Sequence, residues 1–262
     1  MQEAAAPTAP ALTAHDLTVA VEGRELVRDL SMPFGPGQFC AILGRNGTGK
    51  TLTLHTLAGL RMPHRGEVRL AGRPLAALRR RDIARAMGLL TQDSEPGFPA
   101  TVLETVLIAR HPHLALLQWE GGNDRRIAEE ALHQVGLAQF GQRGTGTLSG
   151  GEQRRCAIAT LLAQQPRIFL LDEPTNHLDP HHQQQIFGLL RRLADGGATV
   201  IATLHDPTVA AQFADQALLL YGDGRWRGGA AAQVLTAPSL SELYLTPVAE
   251  LRHEGRKVFV GG

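Results

Sequence analysis

One glycine-rich run, GRNGTGKT at residues 44–51, constrains the fold of this 262-residue chain more than any other feature. The run fits the pattern G-x-x-x-x-G-K-[ST], in which the backbone amides of a loop wrap the phosphates of a nucleotide. Its lysine, Lys50, is one of only two lysines among the 26 lysine and arginine residues of the chain. A compact ammonium fits between two phosphate groups where a broad guanidinium does not, which explains a lysine at this place.

The residues on either side of this run indicate a strand, a loop and a helix in that order. Residues 39–43 form a short apolar run typical of a buried strand, and residues 52–58 carry leucines at helical spacing. This order points the N-terminus of the helix at the loop, where free amides and the helix dipole favour a polyphosphate. The hydroxyl of Thr51 would bind the accompanying Mg2+. The alternative is a glycine-rich turn that only connects the strand to the helix.

Composition limits the class of protein. The length suggests one large domain or a core with a subdomain, and the 43% of hydrophobic residues can form a sizeable core. The formal net charge of +1 gives no sign of a dedicated nucleic-acid surface. Cys40 and Cys156 lie in apolar or helical settings, which favours two buried thiols in a reducing compartment. No stretch has the apolar length of a membrane span, so we expect a cytoplasmic protein whose membrane role, if any, is peripheral.

Strands and helices alternate along most of the chain, which predicts a parallel sheet with helices on both faces. The alternation occupies residues 12–92 and 147–238, expected to be the core, and residues 93–146 read as an inserted helical subdomain. Residues 1–11, rich in alanine and proline, are expected to be a disordered leader. The tail at 239–262 is expected to hold a short helix and a hairpin.

A second group of polar residues follows predicted strands. The apolar run at residues 168–171 ends in Asp172 and Glu173, where the first carboxylate can bind Mg2+ and the second can polarise an attacking water. His205 and Gln92 end two further strands; the imidazole can reach a terminal phosphate, and the amide can bind Mg2+ or position water. The alternatives are an acidic turn, a solvent-facing histidine and a surface glutamine.

The third motif, LSGGEQRR at residues 148–155, opens a predicted helix that runs to about residue 163. Ser149 and Glu152 have the spacing of a capping box, which by itself would explain both residues. It does not explain Gly150 and Gly151, because each weakens the first helical turn by roughly 1 kcal/mol relative to alanine. A serine hydroxyl and bare amides at a helix N-terminus make a second phosphate-binding surface.

Taken together, these ordered motifs resemble the nucleotide-binding subunit of ABC transporters over about residues 12–245. The resemblance implies an α/β fold, a P-loop NTPase (RecA-like) core with an antiparallel β subdomain and an inserted α-helical subdomain. It assigns one role to each motif: Walker A loop at 44–51, Q-loop glutamine Gln92, signature motif at 148–153, Walker B aspartate Asp172, catalytic glutamate Glu173, D-loop aspartate Asp179 and switch histidine His205.

The site residues that the resemblance implies fall into three sets. The catalytic residues are Glu173, His205 and Gln92. The Mg2+ ligands are Thr51, Gln92 and Asp172. The ATP-binding residues are Gly44, Arg45, Asn46, Gly47, Thr48, Gly49, Lys50, Thr51, Thr53, Ser149, Gly150, Gly151, Glu152 and Asp179.

The resemblance also implies partners. Two copies of the chain would pair head to tail, so that the signature helix of one covers ATP held on the Walker A loop of the other. The dimer would bind integral membrane permease subunits on the cytoplasmic face of the inner membrane, and through them act indirectly with a substrate-binding protein. Nucleic acid is not an expected partner.

Two details refine this interpretation. The family usually places an aromatic residue near the end of the first strand to stack on adenine, and Val21 stands there, so base stacking would be lost. The runs RHPH at 110–113 and NHLDPHHQ at 176–183 resemble importers of metal chelates, a group that includes iron-siderophore, haem and cobalamin uptake systems.

Three alternatives remain within this resemblance. One is a soluble cassette ATPase that acts on ribosomes or DNA, although such proteins resemble tandem cassettes or cassettes split by coiled coils. Another is a cassette that serves an exporter. The third is a regulatory cassette that binds ATP without hydrolysing it, against which Glu173 and His205 both argue.

Overall fold

The computed structural model describes residues 11–92, 99–115 and 118–261. The strands, in chain order, are β1 (Leu12–Val21), β2 (Arg24–Phe34), β3 (Phe39–Leu43), β4 (Arg65–Leu70), β5 (Arg73–Pro74), β6 (Met87–Leu90), β7 (Ile168–Asp172), β8 (Thr199–Thr203), β9 (Gln216–Leu220), β10 (Trp226–Ala230), β11 (Val248–His253) and β12 (Arg256–Gly261). The α-helices are α1 (Lys50–Leu57), α2 (Arg80–Ala86), α3 (Val102–Leu107), α4 (Gly122–Gln134), α5 (Gly150–Ala163), α6 (Pro180–Asp195), α7 (Pro207–Phe213), α8 (Ala231–Val234) and α9 (Ala237–Tyr244).

The chain divides into two compact units, one formed by residues 1–78 and 191–262 and the other by residues 79–190. In the first unit, β2, β1, β4 and β5 form an antiparallel sheet in that order. A second sheet places β3 between β8 and β9, parallel to both, and β10 pairs antiparallel with β9. All five residues of β3 and of β8 are buried, as expected for strands covered on both faces. Helix α1 leaves the carboxyl end of β3 through the glycine-rich loop.

The tail folds as the sequence predicts, with somewhat longer elements. Helix α9 covers Ala237–Tyr244, and β11 and β12 form an antiparallel hairpin. Glu254 and Gly255 join the two strands, both with positive φ, which is the requirement of the tight turn that suits a right-twisted hairpin. The backbone amide of Phe259 donates to the Thr208 hydroxyl 3.0 Å away, which attaches the hairpin to α7.

In the second unit, β6 and β7 pair in parallel, with Met87 opposite Ile168. Helices α3, α4 and α5 pack on one another through a cluster of buried side chains. This unit contains most of the predicted helical insertion; the loop predicted from residue 93 lies largely outside the described residues, and the domain boundaries stay predictions. None of the helices that the structure describes is both long enough and apolar enough to cross a membrane.

Candidate nucleotide site

The loop at residues 44–51 is built by the strand and the helix on either side of it. β3 ends at Leu43 and α1 begins at Lys50, so the turn from strand to helix takes six residues. Gly47 and Gly49 have φ of 77° and 98°, in the left-handed region that favours glycine. Gly49 is the N-cap of α1 and offers no side chain to its first turn. Helix α1 thus begins without a side-chain cap, as in a loop whose helix N-terminus binds a phosphate.

The loop is also packed tightly from behind. A β-carbon placed on Gly44 would lie 2.4 Å from the Thr48 hydroxyl oxygen and 2.7 Å from the Leu220 carbonyl oxygen. A β-carbon on Gly222 would lie 2.9 Å from the α-carbon of Thr48. The end of β9 and the residues after it thus support the loop. Sequence reasoning missed Gly222, because its surroundings, YGDG at 221–224, look like an ordinary turn.

Lys50 is held on the loop that it belongs to. Its side chain is 6% exposed, and its ammonium donates to the carbonyl oxygens of Gly44 at 2.9 Å and Arg45 at 3.4 Å. These contacts hold the ammonium against the backbone at the start of the loop. Thr51, the next residue, is half-buried, and Thr53 is fully buried one turn into α1. A role for Thr53 toward a nucleotide stays a prediction.

The signature motif opens α5 with the capping box that the sequence predicts. The Ser149 hydroxyl accepts from the Glu152 amide at 3.3 Å, and the Glu152 carboxylate accepts from the Ser149 amide at 2.7 Å. The backbone hydrogen bond from Ser149 is the main reason that the pKa of Glu152 lies below its usual value; the hydroxyl of Ser149 adds to it. Ser149 and Gly150 are exposed.

The two glycines of the motif have different surroundings. A β-carbon on Gly151 would come within 3.3 Å of the His177 carbonyl oxygen, so packing within the chain already accounts for a small residue there. The prediction that Gly150 and Gly151 are both small to make room for a ligand is therefore incomplete, because packing explains Gly151. A β-carbon on Gly150 would lie 4.0 Å from its nearest neighbour, the β-carbon of His177, so Gly150 has more open space around it than Gly151.

Two carboxylates lie at the end of β7. Asp172 is the last residue of the strand and is fully buried, which is costly for a carboxylate unless a cation or hydrogen bonds compensate. Glu173 has a φ of 47°, a left-handed conformation that costs a residue with a side chain of the order of 1–3 kcal/mol. The amide of Asn176 donates to the Glu173 carboxylate. The chain therefore turns sharply at Glu173, so the side chains of Asp172 and Glu173 leave the backbone in different directions.

One arginine of α5, which sequence reasoning missed, holds this turn. Arg154 is 5% exposed, and its guanidinium donates to carbonyl oxygens on two segments. The acceptors are Thr91 at 2.6 Å, Gln92 at 3.2 Å, Glu173 at 2.7 Å, Pro174 at 3.2 Å and, in addition, Asp172. The available signal was its position: Arg154 lies four residues before Ile158 on the buried face of α5, where an arginine is unusual.

The remaining predicted site residues, Gln92, His205 and Asp179, lie next to the ends of strands or helices. Gln92, exposed, follows β6, and His205, exposed, follows β8. The His205 carbonyl oxygen accepts from the Tyr244 hydroxyl at 3.2 Å. Asp179 precedes α6, and its carboxylate accepts from the His182 amide at 2.9 Å, the main cause of its lowered pKa.

The predicted residues are divided between the two compact units. The first unit holds the loop at 44–51, Thr53 and His205; the second holds Gln92, the residues from Ser149 to Glu152, Asp172, Glu173 and Asp179. The proposed Mg2+ ligands offer a hydroxyl, an amide oxygen and a buried carboxylate, which are the hard oxygen donors that Mg2+ prefers. That they share one ion stays a prediction.

Comparisons with known proteins agree with these motifs. The family profile described as ABC transporter matches residues 27–176, and a profile described as an AAA domain matches residues 144–211. A hemin import ATP-binding protein of Gloeobacter violaceus is 42% identical over 221 residues, which cover 82% of this chain and 79% of that protein.

Solved structures show the same likeness. An inward-facing ABC transporter assigned to the metal-chelate type matches with a TM-score of 0.84 and 27% identity, over 97% of this chain and 98% of that one. A dimeric bacterial ABC transporter cassette matches with a TM-score of 0.73 and 27% identity, over 84% of this chain and 98% of that one. The predicted α/β P-loop fold is confirmed, and the chain belongs to the ABC transporter family as one of its ATP-hydrolysing, ATP-binding subunits.

Proposed function

We propose that this chain energises a metal-chelate importer, with haem as its first candidate cargo, by binding and hydrolysing ATP between two copies of itself. The observation that carries the ATP chemistry is the tightly packed loop whose Gly44 carbonyl oxygen accepts from the Lys50 ammonium. The likeness to a hemin import protein and to a metal-chelate transporter supports the cargo class. The likeness to a dimeric cassette supports the pairing of two copies.

In the proposed ground state, the amides of residues 46–51 and the Lys50 ammonium bind the β- and γ-phosphates of ATP. Thr51, Gln92 and Asp172 would hold a Mg2+ ion, which when bound screens the phosphate charge. The exposed Ser149 hydroxyl and the amides of Gly150 and Gly151 from the second copy would contact the γ-phosphate at the N-terminus of α5. Asp179 would lie near the same junction between the copies.

The proposed reaction is an in-line attack of water on the γ-phosphorus. Glu173 accepts a hydrogen bond from the water and takes its proton as the new P–O bond forms and the bond to the leaving oxygen of ADP breaks. Asn176 fixes the orientation of the Glu173 carboxylate. His205 would contact the γ-phosphate, and the hydroxyl of Tyr244 donates to the His205 carbonyl oxygen and so supports the backbone at this position.

The proposed partners follow from this cycle of ATP binding and hydrolysis. ATP binding closes the pair of cassettes, and hydrolysis with phosphate release reopens it. Integral permease subunits would transmit this motion across the inner membrane, with the chain bound peripherally on its cytoplasmic face. A substrate-binding protein would deliver the chelate on the other side, and nucleic acid would take no part.

A substitution that removes the charge of Glu173 but keeps its shape tests the proposed chemistry. Glu173→Gln should retain ATP, lose hydrolysis and accumulate as a dimer in size-exclusion chromatography with ATP. The double variant Lys50→Ala/Glu173→Gln is the matched control and should stay monomeric, because it cannot hold the triphosphate. If Glu173→Gln hydrolysed ATP at the parental rate and stayed monomeric, the assigned roles would be wrong.

The cargo class needs a separate measurement. The complex extracted from membranes with its permease, and loaded with its binding protein, should hydrolyse ATP faster when haem is supplied. Cobalamin and a ferric siderophore are the comparison ligands. Stimulation by one of these but not by haem would keep the importer and replace its cargo, and stimulation by none would contradict metal-chelate import.

A further inference from the structure

The guanidinium of Arg154 forms hydrogen bonds with two segments that have different roles in the proposed function: one carries Gln92 and the other carries Glu173. One segment is the end of β6, where the carbonyl oxygens of Thr91 and Gln92 accept at 2.6 and 3.2 Å. The other is the turn after β7, where the carbonyl oxygens of Asp172, Glu173 and Pro174 accept from the same side chain. All of these partners lie with Arg154 in the compact unit of residues 79–190.

Three successive carbonyl oxygens reach one cation only if the chain turns sharply. The turn is made at Glu173, whose φ of 47° is unfavourable for a residue with a side chain. Such a conformation persists only where its surroundings determine it, and the bond from Arg154 to the Glu173 carbonyl oxygen, 2.7 Å long, is one of the contacts that do so. The same conformation sets the direction in which the Glu173 carboxylate leaves the backbone.

Burial makes this arrangement rigid. Arg154 is 5% exposed, so its hydrogen bonds do not compete with bulk water. The planar guanidinium offers five N–H donors in a fixed fork, so it can serve carbonyl oxygens on two segments at once, whereas a lysine ammonium is a point donor on a flexible stem. A displacement of the Gln92 backbone therefore changes the hydrogen bonding of the Glu173 backbone through one side chain.

We propose that Arg154 is a positioning residue, which holds Glu173 in its hydrolytic orientation and couples that orientation to the position of Gln92. The inference rests on the proposed function, because it requires Glu173 to be the group that polarises the attacking water. It adds that the signature helix acts on hydrolysis within its own chain, in addition to the contact proposed across the dimer.

The test compares two buried arginines of the same unit. Arg154→Met keeps an unbranched apolar stem but removes the charge and the donors, and Arg154→Lys keeps the charge and some donors. Arg110→Met is the matched control, because Arg110 is also 5% exposed and donates to the Ala163 carbonyl oxygen at 2.7 Å, at the far end of α5. All variants are compared as kcat and KM for ATP per folded protein, with folding checked by circular dichroism.

The expected result is a split between kcat and KM. Arg154→Met should lower kcat by about 100-fold while KM changes by less than about threefold, because the carboxylate is misplaced and the phosphate loop is untouched. Arg154→Lys should recover part of kcat, and Arg110→Met should lower thermal stability while kcat per folded protein stays within about twofold. If Arg154→Met is insoluble, Arg154→Lys alone tests the positioning role, and we expect its kcat to fall while its KM stays unchanged.

Glu173→Gln, measured in parallel, separates this inference from the proposed function. If Glu173→Gln keeps parental hydrolysis, the assigned chemistry and the inference are both wrong. If Glu173→Gln loses hydrolysis but the folded Arg154 variants keep the parental kcat, only the positioning role is overturned. An equal loss of kcat in Arg110→Met would also overturn it, since the effect would then belong to any buried arginine of this unit.

Discussion

The ammonium nitrogen of Lys50 lies 2.9 Å from the carbonyl oxygen of Gly44, six residues earlier in the chain. The two residues are the first glycine and the lysine of the glycine-rich run, so the side chain spans the loop from its last turn back to its first. This contact holds the ammonium against the loop before a ligand binds, and we expect the ammonium to exchange this carbonyl oxygen for phosphate oxygens when ATP binds.

Lys50→Ala should therefore remove ATP binding, because the loop loses the charge that faces the phosphates. The second lysine provides a matched control: Lys257 pairs with Glu250 at 3.4 Å on the C-terminal hairpin. Lys257→Ala should bind ATP with the parental affinity. Isothermal titration calorimetry with ATP and Mg2+ measures both, and equal affinity in Lys50→Ala and the parent would remove the phosphate loop from the proposal.

Gly44→Ala should disturb the same loop by steric conflict. The new β-carbon would meet the Thr48 hydroxyl oxygen and the Leu220 carbonyl oxygen, both closer than van der Waals contact. We expect the free energy of unfolding to fall by about 1–3 kcal/mol and the affinity for ATP to fall with it. Gly122→Ala is the control, because a β-carbon there would meet nothing within 4 Å. Urea denaturation compares the two; equal stability in both would show that the loop relaxes around the added methyl.

The capping box of α5 predicts a pH dependence of stability. The backbone amide of Ser149, and then its hydroxyl, hold the pKa of Glu152 below its usual value near 4.5. A carboxyl whose folded pKa is lowered contributes stability that is present above the unfolded pKa and is lost as the pH falls through the folded pKa. Glu152→Gln should thus lower Tm at pH 7, and its Tm should approach that of the parent well below pH 4.5.

The exposed pair of Arg125 and Glu129 on α4 supplies the control for this measurement. Glu129→Gln should change Tm little at pH 7, since exposed ion pairs contribute little to stability. A Tm difference between Glu152→Gln and the parent that stayed constant from pH 7 to pH 3 would contradict the role of the charged capping box.

The sequence predicts those parts of the site that depend on local order. The strand, loop and helix around residues 39–58 follow from an apolar run, a glycine pattern and helical spacing, and the capping box follows from the spacing of Ser149 and Glu152. Each is a contact between near neighbours in the chain, so its residues carry their own signal. The C-terminal hairpin is predicted for the same reason, from the turn at Glu254 and Gly255.

The parts that the sequence does not predict depend on contacts between distant residues. Gly222 supports Thr48 across 174 positions of the chain, and Tyr244 reaches the carbonyl oxygen of His205 across 39 positions. Arg154 looks like one of two adjacent arginines on a helix, and only the fold shows that its guanidinium faces the turns after β6 and β7. Single-sequence patterns carry no information on such pairings.

A mixing experiment tests the central claim, that ATP is bound between two copies of this chain, most directly. Lys50→Ala destroys the loop of its own copy, and Ser149→Arg blocks the signature helix of its own copy, so each variant alone should fail to hydrolyse ATP. In a head-to-tail pair of one Lys50→Ala and one Ser149→Arg chain, both lesions fall in one site and the other site is intact. Equal amounts of the two should recover about a quarter of the parental activity, because random pairing makes half of the dimers mixed and each has one working site. A mixture as inactive as its components would contradict the claim.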